Sequence, residues 1–352
     1  MRSEVLDSKL VGLSEFLFEP FKGKRVLVTG ATGLIGSLVC KALLLANERM
    51  DLQCDVIALA RDKKKIDSVL GSYASLGVLE MVECDFANGA MPNIGSVDFI
   101  LHAAAVTKSK IMVEKPIEVI RTSLLGTRTM LDLAHVSKAR MVYVSSMEMY
   151  GTLREGEVAD EGALGWIDLS SPRSCYPESK RMCESLCNAY ASQYKVSVCS
   201  ARLAQTFGAG ILPNENRAFA QFSRAAIKGA DVVLKTRGLS EGNYVDSVDC
   251  VAGLLILLAC GEAGQAYNVA NEGSHRIIRQ VAQLAIDVLG DGSSEVVVEL
   301  DESNSAGYAP DVHLRLSSSK LRGLGWEPST TLEASFESLG AYMMEQDMVD
   351  GA

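Results

Sequence analysis

Residues 25–37, RVLVTGATGLIGS, decide how the rest of the chain is read. RVLVTG is a short, mostly apolar run with the length of a buried strand, and GLIGSLVCKALLLANE has the length and spacing of a helix. Between the two, Gly30, Gly33 and Gly36 fall at three-residue intervals. Gly30 permits a tight turn, Gly33 lets the backbone approach a pyrophosphate, and Gly36 lets helix and strand pack closely. The helix that opens there offers free amides and a partial positive charge to the same anion. Strand, glycine turn and helix in that order predict a dinucleotide site built from Gly30, Thr32, Gly33, Leu34, Ile35 and Gly36.

The same rhythm continues outward. CDVIALAR, LEMVECD, VDFILHAAA and RMVYVSS read as further strands, separated by KKKIDSVLGSYA and by a helix around residues 112–136. Short apolar strands alternating with longer helices imply right-handed crossovers, hence an α/β fold with a doubly wound parallel sheet covered on both faces. Before it, residues 4–19 have helical spacing and stop at Pro20, giving an N-terminal helical extension over 1–23. After residue 151 the alternation lapses. Residues 152–172 form a Gly- and acid-rich loop long enough to be functional. YPESKRMCESLCNAYASQY is a helix, VSVCSARLAQTFG a strand and its exit, and the later elements are mixed.

Composition narrows the class. The chain has 352 residues, 48% of them hydrophobic, and a net charge of −10. An acidic chain with no basic tract speaks against nucleic acid or an anionic membrane as partner. The nine cysteines contain no CxxC, and Cys183 and Cys187, which share a helix face, have no further His or Cys partner nearby in sequence, so no metal site is expected and the thiols fit a reducing, cytoplasmic setting. VAGLLILLAC, the longest apolar run, is too short to span a bilayer, and the N-terminus has no cleavable apolar core.

The strand ends carry the remaining dinucleotide contacts. An acid at the end of the second strand holds the ribose hydroxyls of NAD, whereas an arginine accommodates the 2′-phosphate of NADP. Here Ala60 occupies the acid position, Arg61 follows, and Asp62 is within reach of a ribose, so NAD or NADP is expected. Asp85 and Phe86 after the third strand meet the adenine side, and His102, Ala103 and Ala104 end the fourth strand near the cofactor. CYPESK then supplies Tyr176 and Lys180 at i and i+4, on one helical face. A free phenol is only about 0.1% ionised at neutral pH. A lysine ammonium one turn away and an oxidised nicotinamide both favour phenolate, which would let Tyr176 take a proton from a carbinol.

The segments TGATGLIG, HAAA, VSSMEMYG, PRSCYPESKRMCE, ARLAQTFG, NYVDSVD, AYNVAN and LGWEP run in order from about 24 to 335. In these the chain resembles the extended short-chain dehydrogenase/reductase family of sugar-nucleotide epimerases and dehydratases. PRSCYPESKR is similar to the corresponding segment of UDP-glucuronate decarboxylases. The resemblance implies a Rossmann-type domain over 24–206, rejoined by 243–275, and a smaller mixed α/β substrate domain from 207–242 and 276–345. It also implies a homodimer through a helix bundle and a nucleotide-sugar substrate oxidised transiently at C4. In that scheme Ser146 hydrogen-bonds the substrate hydroxyl, Tyr176 is the base, Lys180 binds the nicotinamide ribose, and Glu148 is a carboxylate of raised pKa facing C5. Met147 stands where sugar 4,6-dehydratases carry a proton donor, which favours epimerisation or another C5 reaction over dehydration. Thr107, Met147, Gln205, Arg217 and Asn243 fall on the substrate side. Ser123 and Gln205 replace asparagines of the family pattern, and Gly242 and Tyr308 stand where phosphate-contacting arginines are common. Arg217, Lys235 and Arg237 are candidates to compensate. An NADPH-dependent keto-sugar reductase and a non-catalytic dinucleotide-binding protein are the alternatives.

Overall fold

The computed structural model describes residues 2–87, 91–213, 215–300 and 312–349. Along the chain the strands are β1 (Arg25–Thr29), β2 (Asp55–Ala60), β3 (Leu79–Glu83), β4 (Phe99–His102), β5 (Arg140–Ser146), β6 (Val158–Ala159) and β7 (Ser197–Leu203). They continue with β8 (Gln205–Phe207), β9 (Val232–Leu234), β10 (Glu241–Asp246), β11 (Ala266–Val269), β12 (Asn271–Ile277), β13 (Val296–Val298) and β14 (Arg315–Leu316). Among the described residues, seven of these form one parallel sheet in the order β11-β7-β5-β4-β1-β2-β3. This is a Rossmann-type α/β sheet. The direction of winding reverses between β1 and β4, which opens a crevice at their carboxyl ends.

The helices are α1 (Glu4–Val11), α2 (Leu34–Met50), α3 (Lys63–Leu70), α4 (Ser109–Glu114), α5 (Pro116–Ser137) and α6 (Cys175–Tyr194), then α7 (Ala218–Ile227), α8 (Ser247–Cys260), α9 (Ile278–Leu289), α10 (Ser319–Arg322) and α11 (Leu332–Glu345). β1 and β2 are buried except at their first residues, as strands covered on both faces must be. α2 is buried almost all round because it lies against the sheet on one side and meets α1 and α8 on others. The helix expected around 112–136 is divided, because Pro116 opens α5 at a position where its missing N–H costs nothing. The N-terminal extension is shorter in helix than its spacing implied. α1 ends at Gly12, and two 3₁₀ turns, Glu15–Leu17 and Glu19–Phe21, lead into β1.

β8 continues from β7 past Ala204, whose N–H still bonds Val269 O in the large sheet at 3.0 Å. A three-stranded sheet, β12-β10-β8, therefore grows out of the carboxyl edge of the large one. Of residues 243–275, read as rejoining the large sheet, only the part in β11 does so, and β10 lies elsewhere. It pairs instead with β8 and β12, and the return is made by β11. Among the described residues no helix is long and apolar enough to cross a membrane.

Candidate active site

The register of β1 sets the first half of the site. Thr29 pairs with Leu59 on one side and with His102 on the other, so Gly30 leaves the sheet between Ala60 and Ala103. Gly30 has φ 67°, and a Cβ there would lie 2.8 Å from Ala103 O. A Cβ on Gly36 would collide with the carbonyl oxygen of Gly30. Gly33 N–H closes the turn on Gly30 O at 2.8 Å, and Gly33 then caps α2 without any side chain. The first-turn amides of Leu34, Ile35 and Gly36 are thus left for an external acceptor. Thr32, Gly33, Leu34 and Ile35 are half-buried along this cradle, and Ala104 N–H is fixed by Thr29 Oγ1 at 3.1 Å. A backbone-lined pocket with unfilled helix amides fits a dinucleotide pyrophosphate.

Two of the expected dinucleotide residues also have structural partners. His102 is wholly buried, with Nδ1 2.7 Å from Thr29 Oγ1 and Phe86 and Tyr143 around its ring. Burial, with Lys180 nearby, lowers its pKa to about 3, so it is a neutral core residue that braces β4 against β1. Asp62 caps α3, its Oδ1 accepting from the N–H groups of Lys64 at 2.9 Å and Lys65 at 3.3 Å, from an exposed position beside the end of β2. Arg61 is exposed at the end of β2. Asp85 is half-buried and accepts from Ala87 N–H at 3.1 Å, and Phe86 is buried against His102.

The reacting half hangs on β5 and α6. β5 ends at Ser146, whose hydroxyl accepts from Glu148 N–H at 3.2 Å as a 3₁₀ turn over Met147–Tyr150 begins. α6 brings Tyr176 and Lys180 in, both buried. Lys180 Nζ donates to Val144 O at 2.7 Å and lies 4.9 Å from the centre of the Tyr143 ring and 5.6 Å from that of Tyr176. Burial lowers the Lys180 pKa to about 8. Burial pushes the Tyr176 phenol up, the Glu148 carboxylate adds to this, and Ser146, Arg217 and Arg173 pull it back. The expected lowering of the phenol is therefore not met by the chain's own groups, because desolvation outweighs the neighbouring cations.

Glu148 does not stand alone either. Its carboxylate takes a 2.9 Å ion pair from Arg173, in the short turn that precedes α6. Arg173 escaped the sequence reading, although it lies within the PRSCYPESK segment. Met147 is buried, and its Cε comes 3.9 Å from where a Cβ on Gly242 would lie, so the thioether spans from the large sheet to β10.

On the substrate side, Gln205 is half-buried in β8 and Thr107 is exposed after β4. Arg217 caps α7, pairs with Glu215 at 2.7 Å and lies over the Phe219 ring. Asn243 is wholly buried, donating to Asn271 O at 3.0 Å and accepting from Leu316 N–H at 2.7 Å. It joins β10 to the chain at β14 from a fully buried position. Lys235 pairs with Glu299 at 2.7 Å, and Arg237 is exposed. Ser123 is buried and turns its hydroxyl back to Val119 O. Tyr308 lies outside the described residues. No group of three or more His, Cys, Asp or Glu able to hold a metal occurs among the described residues.

Behind the site lies a buried ion pair that the sequence reading also missed. Arg202 on β7 meets Glu184 on α6 at 2.7 Å, and Glu184 also accepts from Ser145 Oγ at 2.5 Å. Glu184 sits one helical turn after Lys180, so this pair fixes α6 to the carboxyl ends of β5 and β7.

Residues 26–270 match the model of the NAD dependent epimerase/dehydratase family. UDP-glucuronic acid decarboxylase 1 of Xenopus tropicalis is 28% identical over 323 residues, covering 92% of this chain and 73% of that protein. Among solved structures, an epimerase from Methanothermobacter thermautotrophicus superposes with a TM-score of 0.77 at 20% identity, over 95% of this chain and 96% of that one. The UDP-glucuronic acid 4-epimerase from Bacillus cereus, solved with UDP-glucuronic acid and NAD, gives 0.74 at 19% identity, over 92% and 99%.

Proposed function

The chain belongs to the NAD dependent epimerase/dehydratase family, and from that premise we propose that it is a redox-neutral nucleotide-sugar enzyme that works by transient oxidation at sugar C4. The observation that carries the reading is the meeting of Ser146, Tyr176 and Lys180 at the carboxyl end of β5, in the same parallel sheet whose β1 runs into the glycine turn. A dinucleotide held by the Gly30–Gly36 cradle would supply, through its nicotinamide, a reversible two-electron acceptor for the C4 hydride. The positive charge of an oxidised nicotinamide would add to those of Arg217, Arg173 and the buried Lys180 to favour the Tyr176 phenolate, which would then take up the proton of the C4 hydroxyl while Ser146 orients that hydroxyl. Oxidation at C4 acidifies the hydrogen at C5, and Glu148, oriented by Arg173, is the carboxylate near Tyr176 that can receive it. Met147 cannot protonate a leaving hydroxyl, so 4-epimerisation or a reaction at C5 is favoured over 4,6-dehydration.

The active form in this reading is a homodimer. Ile117, Ile120 and Leu125 on α5 and Met182 on α6 are exposed, and α5 and α6 pack side by side, so that a second copy could complete a four-helix bundle over them.

The test is incubation of the purified protein with UDP-sugars in deuterium oxide, read by proton NMR. The expected outcome is deuterium at C5 or a C4 epimer, with no net consumption of dinucleotide. Turnover only with stoichiometric reduced dinucleotide would instead make the protein a net reductase, and absence of any exchange or turnover would make it non-catalytic.

A further inference from the structure

The adenosine end of the cradle lacks the strand-end acid that holds the ribose diol of NAD. β2 runs between β1 and β3, with Ala60 beside the Gly30 turn on one edge and opposite Glu83 on the other. This is where an acid would hold the ribose diol, and Ala60 is buried with no polar group to offer. The two nearest acids each spend one carboxylate oxygen on the start of α3. Asp62 caps α3 through Lys64 and Lys65, and Glu83 Oε2 accepts from Lys63 N–H at 3.1 Å. Arg61, by contrast, is exposed beside the cradle and makes no ion pair or hydrogen bond among the described residues. Lys63, Lys64 and Lys65 follow it in the first turn of α3, so the local charge is positive despite an acidic chain.

We infer that this pocket is built for a 2′-phosphate, so that the protein binds NADP(H) in preference to NAD(H), with Arg61 as the residue that makes the choice. A guanidinium pairs with a phosphate through parallel charge-assisted hydrogen bonds, whereas it has no comparable partner in a neutral diol. The inference concerns the adenosine end alone and is independent of which sugar reaction the other end performs. It departs from the relative of known structure that was solved with NAD.

Full-length protein stripped of dinucleotide, titrated calorimetrically with NAD⁺ and NADP⁺ at fixed ionic strength, tests it. NADP⁺ is expected to bind about tenfold or more tightly, the value of one charge-assisted contact. Arg61→Ala should erase most of that advantage while leaving NAD⁺ affinity within about threefold, and added salt should shrink it in the native protein. Ala60→Asp, which restores an acid to the diol position, should turn the preference toward NAD⁺. NAD⁺ binding as tightly as NADP⁺ in the native protein would overturn the inference, as would equal loss of both ligands in Arg61→Ala. A loss of NAD⁺ affinity in Glu83→Gln would overturn it as well, by showing that the neighbouring strand supplies the missing acid.

Discussion

Lys180 is an ammonium held in the interior, and two measurable consequences follow from its burial. Its pKa falls from 10.5 to about 8, so the charge 5.6 Å from the centre of the Tyr176 ring is lost as the pH rises through that value. Turnover should therefore decline above about pH 8, and Lys180→Arg, whose guanidinium stays charged, should shift the decline upward in a pH–rate profile. The second consequence is on folding. Between about pH 8 and 10.5 the folded chain binds fewer protons at this residue than the unfolded chain, so its contribution to stability is full above 10.5 and lost on descending to 8. Urea midpoints at pH 8 and pH 10 should show that rise in the native protein and less of it in Lys180→Met. The Glu148–Arg173 pair makes a contrast, because it is roughly a third exposed. Such pairs contribute at most about 1 kcal/mol to stability. Glu148→Gln should leave the urea midpoint nearly unchanged while slowing deuterium exchange at substrate C5 by at least about tenfold, the lower range of general-base effects.

At the scale of elements, the glycine turn shows what a sequence can and cannot express. The order β1, glycine turn, α2 and the Tyr176–Lys180 face of α6 were legible because strand length, helical spacing and three-residue glycine intervals are local properties. The path of β10 was not, since NYVDSVD looks alike whether it pairs with the large sheet or with β8 and β12. Asp62 carried an N-cap signal ahead of a helix, and its competing reading as a ribose contact rested only on its nearness to β2. His102 and Asn243 look like exposed polar contacts in sequence and are buried in the fold, because burial depends on which element lies opposite. The glycine turn also yields a firm expectation. A Cβ at Gly36 would strike the backbone of Gly30, and neither side of that contact is a flexible side chain. Gly36→Ala should push the start of α2 away from β1, costing about 1–3 kcal/mol of stability, as overpacking does. Dinucleotide affinity measured by titration should fall with it, since the cradle is made of those same amides.

For the whole molecule, the question is what holds the large sheet and the smaller sheet in one arrangement around the crevice. Dimer formation would act on the outside of the large sheet, and Ile120→Lys should give a monomer by light scattering if α5 and α6 form that contact. The N-terminal extension acts across the two halves. From α1, Asp7 accepts from Tyr73 Oη at 2.6 Å, which ties it to the chain between α3 and β3. Lys9 Nζ reaches Asp246 Oδ2 at 2.9 Å and Ser338 Oγ at 3.1 Å, which ties the same helix to the end of β10 and to α11. The Asp246 side chain is fully buried, and its other oxygen caps α8 through Val248 N–H at 2.9 Å. Removing one partner of a buried pair is costly because the remaining charge is left without a counterion. Lys9→Met should therefore destabilise the protein by about 2 kcal/mol or more, whereas Lys235→Met, which breaks the exposed pair with Glu299, should change stability by less than about 1 kcal/mol. Because Asp246 terminates the strand that carries Gly242 over Met147, loosening it should also widen the substrate side of the crevice. The expected signature in Lys9→Met is a weakened sugar-nucleotide affinity with dinucleotide affinity retained, measured by separate titrations at a temperature well below the variant's unfolding midpoint.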